Sequence, residues 1–249
     1  MATKHIVKSF DEELNVLDSK IAEMGGLVEA QVAEAIKALV TRDSDLATRV
    51  MVQDERIDEL EHQVNVLTVR MLALRQPMAD DLRTAIAALK IANDLERIGD
   101  YAVNLSKRIL VLTQAAPMVS VPTIARMGRL VQGMIKNVLD SYVNRDAQKA
   151  VDVRNQDRDV DQLHTSLFRE LLTYMMESPQ NITPCTHLLF VAKNIERMGD
   201  HATNIAENVI FMIRGAAPTE PRPTGDQSSS ITLDKTAQVR TGVTSGAKA

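Results

Sequence analysis

The sequence predicts an all-α protein built as two tandem three-helix bundles. Three observations carry that prediction. The chain repeats itself, its apolar residues recur at spacings of three and four, and aromatic residues make up only 3% of its 249 positions, with no Trp. A core without aromatics must be built from Leu, Ile, Val, Met and Ala. Unbranched chains and Ala lose little entropy in a helix, so that palette favours helices. No segment shows the strict alternation of a half-buried strand.

The repeat has a fixed order. Met24-Gly25-Gly26-Leu27-Val28 recurs as Met127-Gly128-Arg129-Leu130-Val131, Arg42-Asp43 as Arg145-Asp146, and Gln53-Asp54-Glu55-Arg56-Ile57-Asp58 as Gln156-Asp157-Arg158-Asp159-Val160-Asp161, all at an offset of 103. Beyond Pro77 and Pro179 the offset is 100, which brings Glu96-Arg97-Ile98-Gly99-Asp100 onto Glu196-Arg197-Met198-Gly199-Asp200. The second half has lost a few loop residues. Conserved order and spacing over both halves identify a duplication.

In the first half, a helix over Phe10–Thr41 follows from the stripe Leu14, Leu17, Ile21, Met24 and Val28. Arg42-Asp43-Ser44 interrupts it, with Asp43 placed to cap a second helix reaching about Arg75. Pro77 ends that helix, because the residue before proline avoids the α region. A third helix runs from about Asp80 to Gln114. The second half repeats the plan over Pro122–Asn144, Arg145–Ser178 and Pro184–Arg214. Long helices joined by short turns pack as antiparallel bundles. The expected divisions are a first bundle over 5–116, a second over 122–214 and a disordered tail over 215–249, where Pro, Gly, Ser and Thr replace large apolar residues.

Charge and composition narrow the function. A net charge of −4 with no run of Lys or Arg leaves no basic surplus for nucleic acid as the main partner. The first ten residues lack the apolar run of a signal peptide, and no stretch approaches the ~20 apolar residues of a membrane span. The single cysteine, Cys185, suits a reducing compartment and reads as structural. A soluble, cytoplasmic chain is expected. Phosphate-loop, Ser-hydrolase and zinc-protease motifs are all missing, so no catalytic residue is assigned and an enzyme is not expected.

The informative residues are acids. With about 100° per residue, Glu96, Asp100, Asn93 and Asn104 share one narrow stripe at the border between packed and wet faces. Glu196, Asp200 and Asn204 take the same places in the second half, where Lys193 replaces Asn93 and His201 replaces Tyr101. On the second helices, Asp54 with Asp58 and Asp157 with Asp161 make matching pairs bordering apolar positions. If second and third helices lie side by side, each half gathers four carboxylates. Such a group repels itself unless a cation sits among the oxygens. Oxygen ligands suit hard or borderline cations such as Mg, Mn or Fe. One acid pair on a helix is ordinarily a solvated face, and Asp94 with Arg97 reads as an i,i+3 pair. Four pairs at equivalent places strengthen the metal reading, and spacing alone leaves both open.

A mid-helix Gly costs roughly 1 kcal/mol against Ala. Gly99 and Gly199 lie beside the acid stripes, on the seam side, so close approach of a neighbouring helix is expected there. His62 and His164 follow acids at a spacing seen in di-iron bundles. They are out of register between the repeats and are expected on the surface. His201, at the edge of its stripe, is also expected to be an ordinary surface residue, with a spare ligand as the alternative.

Two three-helix halves, each with an Asp-x-x-x-Asp on its second helix and a Glu-Arg-(Ile/Met)-Gly-Asp string on its third, resemble the PhoU family over roughly residues 5–214. The resemblance implies a bacterial cytoplasmic, non-enzymatic negative regulator of phosphate uptake and of the phosphate-starvation response. It implies two partners, a sensor histidine kinase and the ATPase subunit of the phosphate ABC transporter. Contact with the membrane would come only through those partners, and a homodimer is expected. It also implies a multinuclear cluster of divalent or trivalent metal (Fe, Mn, Mg or Zn) on Asp54, Asp58, Glu96, Asp100, Asp157, Asp161, Glu196 and Asp200. Competing readings are a di-metal carboxylate oxidoreductase and a purely structural helical scaffold. Asp94, where the second half has Asn194, and the tail depart from the family pattern.

Overall fold

The structure is a computed structural model describing residues 2–75, 77–117, 120–219 and 222, with side chains from residue 12 onward except that of Arg75. Among the described residues six α-helices form an all-α fold: α1 Ala2–Thr41, α2 Ser44–Arg75, α3 Asp80–Leu112, α4 Val121–Asn144, α5 Ala147–Glu177 and α6 Ile182–Arg214. A 3₁₀ turn, Pro179–Asn181, leads into α6. Four starts differ from expectation, α4 beginning at Val121 rather than Pro122 and α5 at Ala147 rather than Arg145. α1 begins at Ala2 rather than Phe10, through a stretch free of Gly and Pro. α6 begins at Ile182 rather than Pro184, because a proline is tolerated in the first turn of a helix.

The turns between first and second helices are built alike in both repeats. Asp43 Oδ1 accepts from the Leu46 amide at 2.8 Å, and Asp146 Oδ1 from those of Gln148 and Lys149 at 3.0 Å each. The preceding residues, Arg42 and Arg145, adopt left-handed backbones with φ of 56° and 52°. That conformation costs an L-residue roughly 1–2 kcal/mol. Each arginine uses its side chain there. Arg42 Nη2 donates to the Thr113 and Ala115 carbonyls at 3.0 and 2.5 Å, and Arg145 Nη2 to Asp18 Oδ2 at 2.8 Å.

Within each half the second and third helices pack side by side, α2 on α3 and α5 on α6. The halves meet through α1 against α4 and α3 against α6. The α1–α4 contact is reciprocal. The Leu139 side chain covers the bare Cα of Gly25, and the Ile36 side chain covers that of Gly128. A continuous core of Leu, Ile, Val, Met and Ala runs through both halves, and Tyr142 is the one aromatic in it among the described residues. Cys185 is buried, as its structural reading requires. No described helix is long and apolar enough to cross a membrane. Of the expected tail, only residues 215–219 and Arg222 fall within the described residues.

Candidate functional site

In the first repeat, α2 carries Asp54 and Asp58 one turn apart, and α3 presents Glu96 and Asp100 to them. The four carboxylates feel one another. Burial pushes Asp54 up from its ordinary value, with Asp58 and Asp100 adding to the push and Gln31 opposing it. A partial loss of water and then Asp100 push Asp58, although exposed, in the same direction. Glu96 is pushed up to about 6, first by burial and then by Asp100, against the opposing charge of Arg97. Arg97 lies between the two acids of α3, with Nη1 3.2 Å from Asp100 Oδ2 and Nε 3.4 Å from Glu96 Oε2. Glu96 Oε2 is buried and accepts no hydrogen bond.

Gly99 explains how α2 comes so near. A Cβ at that position would lie 3.0 Å from Asp54 Oδ1 and 3.1 Å from Gln31 Oε1. Gln31, on α1, donates from Nε2 to Asp54 Oδ1 at 2.9 Å and to the Val50 carbonyl at 3.2 Å. The close approach expected from the mid-helix glycine is present, and the approaching group is the carboxylate itself. In the second repeat Gly199 faces Asp157 Oδ1, 3.3 Å from where its Cβ would lie.

The second repeat places its acids the same way but deeper. Asp157, Asp161 and Glu196 are buried, Asp200 is half-buried, and their first-half counterpart Asp58 is exposed. Here the chain supplies its own positive charges. Lys193 Nζ donates to Glu196 Oε1 at 2.7 Å. Arg222 donates to Asp157 Oδ2 from Nε at 2.9 Å and from Nη2 at 2.6 Å, and its Nη2 also reaches Asp200 Oδ1 at 2.5 Å. Burial nevertheless holds the Asp157 carboxyl up at about 6, more than the guanidinium pulls it back.

In the first repeat Asp54, Asp58, Glu96 and Asp100 lie near enough to act on one another; in the second Asp161 and Asp200 act on Asp157, and Glu196 pairs with Lys193. Among the described residues, no three His, Cys, Asp or Glu side chains are gathered tightly enough to hold an ion as they stand. The first group offers the oxygen donors a hard cation would take: carboxylates raised first by burial and then by one another, and one buried oxygen without a hydrogen bond.

Three expectations need correction. His164 is buried on α5, not on the surface. It lies four residues after Val160 and three before Leu167, on the apolar stripe, which the helical period could have shown. His62 is exposed as expected. His201 is not an ordinary surface residue: its Nδ1 donates to Asp94 Oδ1 across the seam between the halves at 2.8 Å. Asp94 therefore pairs with His201 rather than Arg97, and Arg97 turns to the acids of the site. Sequence reasoning missed Arg222 altogether, because it stands in a stretch whose composition argues against order.

The PhoU domain profile matches residues 21–109 and 124–209, one copy in each half. The chain is 53% identical over 222 residues to the phosphate-specific transport system accessory protein PhoU homolog of Caulobacter vibrioides (strain NA1000 / CB15N), covering 89% of this chain and 96% of that protein. Among solved structures, PhoU from Pseudomonas aeruginosa superposes with a TM-score of 0.81 at 40% identity, covering 83% of this chain and all (100%) of that one. The phosphate transport system regulatory protein PhoU from Streptococcus pneumoniae superposes with a TM-score of 0.78 at 27% identity, covering 85% of this chain and 100% of that one.

Proposed function

The chain belongs to the PhoU family, whose members serve phosphate regulation and are not enzymes, and from that premise we propose that it is a metal-binding adaptor that represses phosphate uptake and the phosphate-starvation response. Its partners in this reading are the ATPase subunit of the phosphate ABC transporter and a sensor histidine kinase. Asp54, Asp58, Glu96 and Asp100 would hold cations on the first repeat, and Asp157, Asp161, Glu196 and Asp200 on the second. The metal, drawn from Fe, Mn, Mg or Zn, would supply positive charge at the α2–α3 and α5–α6 seams.

One observation supports the reading: matching acid pairs stand on equivalent helices in both repeats, and in the first repeat burial and then neighbouring carboxylates raise Glu96 although Arg97 lies beside it. A seam clamped by a cation presents a fixed helical face, which is what an adaptor offers a partner. The chain's own residues do the rest. Gln31 aims Asp54, Gly99 lets it approach, and Arg97 ties Glu96 to Asp100. An oxidoreductase of the di-metal bundle type would need paired Glu-x-x-His motifs in register, and the chain has none.

The first test is a deletion strain carrying a phosphate-starvation reporter, grown in abundant phosphate. High reporter activity, returned to low by the intact gene, supports repression; low activity in the deletion counts against it. The adaptor part is tested by a pull-down of both partners with the Asp100→Ala, Asp200→Ala double variant. Undiminished capture by a folded, metal-depleted double variant would sink the metal's role in docking.

A further inference from the structure

Arg222 lies beyond the last helix, between Pro221 and Pro223 in the sequence. Its guanidinium still reaches a site assembled from two helices, with Asp157 on α5 and Asp200 on α6. This is no loose surface pair. Asp157 is 2% exposed, and the arginine side chain is itself 25% exposed. Nε and Nη2 of one planar group converge on Asp157 Oδ2 while Nη2 also reaches Asp200 Oδ1, so the charged head bridges two carboxylates.

The equivalent place in the first repeat is built differently. Among the described residues, the ion pairs at that site are those of Arg97 with Glu96 and Asp100, both on its own helix. Among the described residues, no side chain from beyond the six helices pairs with these acids. The second site also carries Lys193 where the first has Asn93. The duplication has therefore produced one carboxylate site paired with a single arginine of its own helix and one that takes Lys193 and, from beyond the bundle, Arg222.

We propose that the Asp157–Asp200 pair is a guanidinium site whose resident ligand is Arg222 of the chain's own tail, and that Arg222 and a divalent cation exclude one another there. Asp157 Oδ2 already accepts two N–H groups, and a guanidinium has no lone pair to offer a metal. A cation entering among these acids would meet a positive charge in contact with its ligands. Cation binding at the second site thus requires release of Arg222, while the first site fills without it. The exclusion rests on the metal-adaptor reading above; the guanidinium site does not.

The test uses the full chain and Mn²⁺, whose free form is counted by electron paramagnetic resonance, with wild type compared with Arg222→Gln. In parallel, amide hydrogen exchange is followed over residues 215–222, without metal and with Mn²⁺. The expected result is that Arg222→Gln binds additional Mn²⁺, or binds it about tenfold more tightly, an ordinary size for coupled sites. The metal-free wild type should exchange more slowly over 215–222 than the variant and lose that protection when Mn²⁺ is added. Equal Mn²⁺ binding by both proteins, with real occupancy, overturns the exclusion and leaves the metal-adaptor reading standing. No Mn²⁺ binding by either overturns the metal-adaptor reading and the exclusion together. Equal exchange of the two metal-free proteins overturns the guanidinium site.

Discussion

Tyr101 and His201 hold equivalent places in the two repeats, and their rings meet at the seam between the halves with centroids 5.6 Å apart and planes tilted by 35°. His201 Nδ1 donates there to Asp94 Oδ1 at 2.8 Å, with Asn204 Nδ2 more distant at 3.4 Å. Asp94 is buried. Replacing His201 by Ala removes the near partner of a buried acceptor, and a loss of about 1–3 kcal/mol is expected by chemical denaturation. His62→Ala, on an exposed face, should change stability by no more than about 0.5 kcal/mol. Equal effects of the two variants would contradict the pairing.

The two site glycines should respond unequally to a methyl group. At Gly99 the new Cβ meets Asp54 Oδ1 at 3.0 Å, and Gln31 holds that carboxylate in place. At Gly199 the nearest atom is 3.3 Å away. Helix propensity favours Ala at both by about 1 kcal/mol. Gly199→Ala should come out close to neutral and Gly99→Ala clearly destabilised, with the urea midpoint deciding.

Neighbouring glycines on α1 offer a sharper contrast. Gly25 lies under Leu139, whereas a Cβ at Gly26 would have no atom within 4 Å. Gly26→Ala is expected to stabilise the chain by about 1 kcal/mol. Gly25→Ala must turn the Leu139 methyls aside, which offsets part or all of that gain. Thermal melting of the two single variants should place Gly26→Ala clearly above Gly25→Ala.

Metal-free protein should lose stability as pH rises from about 4.5 to about 6. Glu96 is raised from an ordinary 4.5 to about 6, mainly by burial and by Asp100. Burial raises Asp157 to about 6, and Asp54 and Asp58 move the same way. A carboxyl raised in the folded chain holds its proton more tightly there than when unfolded. Its contribution is therefore greatest at the acid end and is lost as pH climbs through the window. A bound divalent cation needs these groups ionised, so its stabilising effect should grow over the same range. Melting temperatures in chelator and in excess Mn²⁺, taken at half-unit steps of pH, should slope in opposite directions. Parallel slopes would argue that these acids do not take part in binding.

Much of this was legible in one dimension. Helical period, the paired offsets and Asp43 before its helix placed all six helices and assigned each acid pair to its helix. What escaped was decided by contacts remote in sequence. Composition argued for a loose segment after Gly215, and composition carries no information about one arginine finding two buried carboxylates. His201 was placed from its own helix alone, whereas its partner, Asp94, comes from the other half. His164 was a different kind of miss. Its lack of register with His62 argued for a surface position, while its spacing from Val160 and Leu167 assigns it to the core.

The crossing of Gly25 under Leu139 and Gly128 under Ile36 is the pattern two identical subunits make across a two-fold axis. In a true homodimer every substitution occurs twice, so neither site could change without the other. Fusion into one polypeptide lifts that restraint. His201 can face Tyr101 instead of a second histidine, Lys193 can stand opposite Asn93, and one acidic seam can be neutralised while its twin keeps its charge. The molecule retains the shape of a symmetric pair and carries two sites free to evolve apart.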